Sequence, residues 1–246
     1  MGAFELSQVV KKDIFIVGSD DNVLSGKFFR PQSPNGSAVL YVHGYGADSR
    51  TCAQYARRVA AGGIAGLVFD LRGHGNSPGD KADLTINDHL SDVRQAYDYL
   101  TSPEIEVALD LDRIGIEGAS YGGNLAARLA ADANRPIKSL FLHAPALYPD
   151  DLQDQPRKAY AINNEDAICT TIDPNNAALV AIRNFTGKIT LAISGHDSVV
   201  PPLITNAYSE AATDVESITL EGAQHALTFG DQIIFLSAIM EWAKKL

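Results

Sequence analysis

Cysteine is nearly absent from this chain: Cys52 and Cys169 are the two in 246 residues, and they form no CxxC pair. A disulfide scaffold or a cysteine-based metal knuckle is therefore excluded as the organising principle. Basic side chains are also scarce, 20 against 30 acidic ones, for a net charge of −10. That deficit argues against nucleic acid or an anionic membrane surface as partner. No apolar run approaches the roughly 20 residues of a membrane-spanning helix. The first residues, MGAFELSQVVKKD, lack a signal-peptide core behind a basic start, and Leu6 stands where a myristoylation signal wants Ser or Thr. The expectation is a cytoplasmic protein. There is no internal repeat, and no two of the six histidines have the HExxH spacing of a metal site, so no metal is expected.

What is present is an ordinary globular balance, 46% hydrophobic and 20% charged, in a length that suits one α/β domain. Strands are predicted at 13–17 and 23–29, joined by the turn residues 18–22 as a hairpin. An apolar strand at 38–42 ends at His43-Gly44. Strand and helix then alternate: helix 51–61, capped by Asp48 or Ser49, strand 66–70, helix 86–100 opened by Thr85 and Asp88, strand 113–117, helix 121–131, strand 137–143. After an irregular stretch come strand 188–194, helix 203–212, strand 217–220 and helix 231–245. Such alternation predicts a mostly parallel eight-stranded sheet with helices on both faces and the hairpin at one edge. The break at about 146–184, rich in Asp, Asn and Pro with scattered Tyr148, Tyr160 and Ile162, reads as a short cap inserted into a single domain.

The stretch Gly118-Ala-Ser120-Tyr-Gly122 joins a predicted strand to a predicted helix. A serine at the apex of so sharp a turn is held out at the carboxyl edge of the sheet, where open α/β sheets bind ligands, with free N–H groups of the helix start beside it. Residues two before and two after the apex crowd each other, so both are glycine. This is the G-x-S-x-G nucleophile elbow.

A serine hydroxyl needs a base, and the base a carboxylate to orient it, in the chain order Ser, acid, His. His225 follows the last strand and Asp197 follows the strand before it, both at the carboxyl edge. His196 reads as a loop residue rather than the base. Asp150 and Asp151 are rivals for the acid, but they open the irregular cap, whereas the Asp197 loop is short and fixed by Pro201-Pro202. His43 is expected to bond neighbouring backbone and His74 to belong to a tight turn; His89 falls on a helix and His143 near a strand end. Two backbone N–H groups are candidates for the oxyanion hole: Tyr121, after the nucleophile, and Tyr45, in the loop after the third strand. The Tyr45 side chain is a candidate for the acyl pocket; that of Tyr121 reads equally as packing.

Taken in order, His43-Gly-Tyr-Gly46, Asp70-Leu-Arg-Gly-His-Gly-Asn-Ser77, Gly118-Ala-Ser-Tyr-Gly122 and the Asp197 and His225 loops resemble the α/β-hydrolase superfamily over nearly the whole chain. Size and short insertion are similar to small bacterial carboxylesterases, including cinnamoyl or feruloyl esterases. The Gly118–Gly123 wording is also similar to prolyl-oligopeptidase-type enzymes, whose large extra domain is missing here. Relatives with Asp or Cys at the apex, such as haloalkane dehalogenases and dienelactone hydrolases, do not match Ser120. The resemblance implies a cap that covers the acyl group, with Tyr148 and Tyr160 as candidate substrate contacts. It also implies hydrolysis of a small-molecule ester through an acyl-enzyme, without cofactor. Thioesterase, amidase or C–C bond hydrolase chemistry, a non-catalytic ligand receptor on the same fold, and a homo-oligomer all stay open.

Overall fold

The computed structural model describes residues 9–18, 22–160 and 168–246. The N-terminal residues read above (1–8), the middle of the first turn (19–21) and Ile162 of the insertion lie outside these.

Eight strands form one sheet in the order β1-β2-β4-β3-β5-β6-β7-β8. They are β1 (Val9–Val17), β2 (Val23–Pro31), β3 (Ala38–Val42), β4 (Ala65–Phe69), β5 (Ile114–Ala119), β6 (Ser139–His143), β7 (Lys188–Ser194) and β8 (Val215–Leu220). β1 pairs antiparallel with β2, and β2 antiparallel with β4; every later pair is parallel. β1 starts four residues before its predicted start. Lys11 and Lys12 disguise its beginning, and both are exposed there, as charged residues on an unpaired edge should be.

The helices are α1 (Ser49–Ala60), α2 (Ile86–Leu100), α3 (Tyr121–Leu129), α4 (Ala177–Asn184), α5 (Pro202–Ala211) and α6 (Phe229–Ala243). Period-two alternation along the strands divides the core. Leu40, Val42 and Ile116 face one layer with α2, α3, α4 and α5. Val39, Tyr41 and Phe141 face the other with α1 and α6. Every residue of α3 is buried, consistent with a helix enclosed on all sides. Caps set the helix starts: Asp48 accepts from the Arg50 amide at α1, and Thr85 with Asp88 and Thr228 with Asp231 form capping boxes at α2 and α6. α1 and α6 each begin two residues earlier than predicted, at the residue after the cap.

Between β6 and β7, the insertion holds two single 3₁₀ turns, Asp150–Leu152 and Arg157–Ala159, and then α4. Asp150 fastens it to the sheet layer. Its carboxylate accepts from Arg128 of α3 (2.8 Å) and from the Ala177 amide (2.8 Å) that starts α4. Among the described residues no helix is long and apolar enough to cross a membrane.

Candidate active site

The turn from β5 to α3 is as tight as the glycines required. A Cβ on Gly118 would lie 2.5 Å from the Gly122 carbonyl oxygen, and one on Gly122 would run into the carbonyl of Val42 on β3. Ser120, between them, sits at φ 52° and ψ −114°. A non-glycine residue at positive φ carries strain, held here by the buried elements on either side. The Ser120 backbone is fixed too: its N–H donates to the His143 carbonyl (2.8 Å), and its carbonyl accepts from Asn124 (3.1 Å) and Ala146 (3.0 Å).

The structure brings Ser120, His225 and Asp197 together. Ser120 Oγ lies 3.0 Å from His225 Nε2, and His225 Nδ1 donates to Asp197 Oδ2 at 2.8 Å. The other carboxylate oxygen, Oδ1, accepts from the amides of Val199 (2.8 Å) and Val200 (2.9 Å). Burial pushes the Asp197 carboxyl up, but the bonds from His225 and these two amides outweigh it, so its pKa falls below the usual carboxylate value. A carboxylate on Nδ1–H leaves Nε2 as the acceptor for the serine proton. His196 is exposed, and its amide bonds the Ala223 carbonyl (2.8 Å). Asp150 is occupied by Arg128 and α4, and Asp151 is exposed, so neither rival stands at His225.

Tyr121 begins α3, so its N–H has no intrahelical partner. The Tyr45 amide has no acceptor among the described residues. The Tyr121 ring is buried, its hydroxyl 2.8 Å from His89 Nδ1, which leaves it a packing role. The Tyr45 ring is half-buried at the cavity wall, packed edge-on to Tyr121 and His74.

Three histidines back this wall. His43 Nδ1 meets the Gly44 carbonyl (2.8 Å), and its Nε2 accepts from the Leu71 amide (3.1 Å). His74 sits between two carbonyl oxygens, Nδ1 2.9 Å from Arg72 and Nε2 2.8 Å from Tyr45, which sets the turn after β4 against the Tyr45 loop. His89 Nε2 lies 3.1 Å from the Arg72 carbonyl. Burial lowers all three pKa values, His43 to about 4 and His89 to about 3. Gly75 is required beneath them, because a Cβ there would overlap the Asp70 carboxylate, which accepts from the Ser49 (2.8 Å) and Asn76 (2.9 Å) amides.

A cavity of about 1020 Å³ opens at Ser120 and His225. The insertion meets it differently from the expectation. Arg157 and Lys158 line it, whereas Tyr148 and Tyr160 do not. Tyr148 is fully buried, and the Arg157 guanidinium lies over the rings of Tyr45 (4.6 Å), Tyr148 (5.2 Å) and Tyr160 (5.2 Å). The two tyrosines therefore support a cation at the wall instead of forming the wall. Both cysteines are free thiols.

The pattern of a family described as serine aminopeptidase, S33, matches residues 33–179, more than half of the chain. A protein of Mycobacterium tuberculosis described as uncharacterized is 30% identical over 132 residues, 53% of this chain and 44% of its own length. The match thus spans less than half of that relative. Among solved structures, Est1E from Butyrivibrio proteoclasticus, determined with bound ferulic acid, superposes with a TM-score of 0.72 at 20% identity, covering 94% of this chain and 98% of its own. The Pyrococcus furiosus esterase Pf2001 gives 0.71 at 20% identity, covering 100% and 94%. Fold likeness and family match agree: the chain has the α/β-hydrolase fold and belongs to the serine aminopeptidase S33 family.

Proposed function

We propose that the protein is a serine esterase acting on small-molecule carboxylic esters of small or aromatic acyl groups. The observation that carries this reading is the position of His225, with Nε2 3.0 Å from Ser120 Oγ and Nδ1 2.8 Å from Asp197. His225 takes the serine proton as Oγ attacks the acyl carbon, and the amides of Tyr45 and Tyr121 hold the oxyanion. The same imidazole then protonates the leaving alcohol and later activates water against the acyl-enzyme. Asp197 keeps the proton on Nδ1 and stabilises the imidazolium when it forms. No cofactor enters these steps. The Pyrococcus furiosus esterase among the fold neighbours, and the ferulic acid bound to Est1E, support the ester of an aromatic or small acid as substrate.

Intact-mass detection of an acyl adduct on Ser120, across a library of 4-nitrophenyl esters, tests the proposal. The expected result is an adduct in the native chain and none in Ser120→Ala. Ester turnover that survives Ser120→Ala refutes it. A parallel panel of thioesters and anilides ranks the other acyl bonds against esters.

A further inference from the structure

The cavity is lined by more than the Ser120 and His225 loops. Its lining includes Cys52, Tyr55 and Phe235 of the α1/α6 layer, together with Ala119, His143 and Glu117. Glu117 lies on β5, three residues before the serine, and is 1% exposed. Its Oε2 has no hydrogen-bond partner among the described residues. Parallel pairing sets Tyr41 of β3 directly beside it, and the buried Tyr41 hydroxyl has no partner either. Buried polar atoms without partners are few in folded proteins, and one on a residue that lines a cavity demands a cause. Neither the Ser120 site nor the fold uses them.

We propose that Glu117 is a specificity-determining residue whose carboxyl hydrogen-bonds an uncharged hydroxyl at the far end of the substrate's acyl chain, with Tyr41 beside it. This rests on the esterase reading above. The walls between serine and carboxyl are largely apolar and aromatic; Phe235 packs on Tyr55 (5.2 Å) and on His143 (4.7 Å). A slot with apolar sides and a hydrogen-bonding end fits an apolar chain with one polar terminus. Three residues of extended strand span about 10 Å, the reach of an acyl chain of roughly six carbons.

The terminus is a hydroxyl rather than an ammonium for two reasons. Burial alone acts on Glu117 and raises its pKa to about 8, so near neutrality it is an acid that both donates and accepts. A hydroxyl complements both roles. An ammonium has three protons to place, and pairing with it would also require the buried Glu117 carboxyl to ionise. A half-satisfied charge in such a site is costly to bury.

Three ethyl fluorophosphonates test this, their alkyl chains ending in hydroxyl (6-hydroxyhexyl), methyl (heptyl) or ammonium (6-ammoniohexyl). Each phosphonylates Ser120 with loss of fluoride, His225 taking the serine proton, and intact mass gives the labelling rate. The expected result is labelling by the hydroxyl reagent at least about tenfold faster than by the methyl reagent. Glu117→Gln should keep most of that ratio and Glu117→Leu should erase or invert it. Thermal unfolding checks that each variant is folded, and Glu117→Ala replaces the leucine variant if that one is not. Equal hydroxyl and methyl rates in the native protein overturn the proposal while leaving the esterase reading intact, as does fastest labelling by the ammonium reagent. Failure of all three to label Ser120 brings down both.

Discussion

At the rim of the cavity Ser120, His225 and Asp197 are joined by contacts of 3.0 and 2.8 Å, and both Asp197 oxygens have partners. Three residues down the same strand, Glu117 Oε2 and the adjacent Tyr41 hydroxyl have none. Ser120 and Glu117 flank the end of one strand and line one cavity, yet their surroundings treat polar groups in opposite ways. At the rim, pairing fixes which nitrogen carries the proton and where the hydroxyl points. On the floor, the groups are left unpaired, and the packed β3 and β5 backbone keeps them there against their own solvation. Under the proposed function, pairing falls where a proton moves along a set path, and its lack falls where the proposed substrate hydroxyl docks.

The sharpest break in the comparison is at the rim. Ser120→Ala should lower kcat on a 4-nitrophenyl ester by roughly a million-fold, if the three side chains act as a unit. Asp197→Asn comes next, at about ten-thousand-fold in kcat, because an amide no longer enforces the Nδ1–H tautomer. A loss under tenfold there would show that Val199 and Val200, not His225, are what the carboxylate serves.

Changes on the floor should act on stability instead, and with a pH signature. Folded Glu117 holds its proton to about pH 8, whereas a free glutamate releases it near 4.5. Between those values the folded state binds more protons than the unfolded one, so stability falls as pH rises. The contribution is fully present below pH 4.5 and gone above pH 8. Glu117→Gln lacks this slope. Its Tm should gain on the native protein's between pH 5 and pH 8, by the equivalent of a few kcal/mol. A difference that stays flat with pH would mean that Glu117 is ionised and paired. The smallest effect is expected for Tyr41→Phe, which removes an unpartnered hydroxyl. Chemical denaturation should find it neutral or stabilising by about 1 kcal/mol, and a marked loss would reveal a hidden partner.

The rim was legible in the sequence because its constraints are local. Gly118, Ser120 and Gly122 are forced by one backbone collision, and Asp197 and His225 follow consecutive strands of a parallel sheet, so both emerge at the same edge. The mostly parallel sheet and its antiparallel edge were legible from the same alternation, whereas the strand order was not. Glu117 escaped notice because the elbow drew the eye to its neighbour. A signal was there: one acidic residue in Ile114-Gly-Ile-Glu-Gly-Ala119, a strand otherwise apolar enough to be buried on both faces. The expectation that Tyr148 and Tyr160 contact substrate could not take in Arg157, because no local pattern reveals that its guanidinium lies over both rings. The contact of His74 with the Tyr45 carbonyl joins loops 29 residues apart, and pairing over that distance leaves no periodicity to read.

The backbone at position 120 has one further consequence. At φ 52° a residue without a side chain would rest more comfortably, by a margin on the order of 1 kcal/mol or more. A chain shaped by folding alone would drift toward glycine at this point and lose its hydroxyl without harm to its architecture. Thermal robustness and chemical competence therefore pull on one codon in opposite directions, and Ser120→Gly should yield a protein that melts later and does nothing.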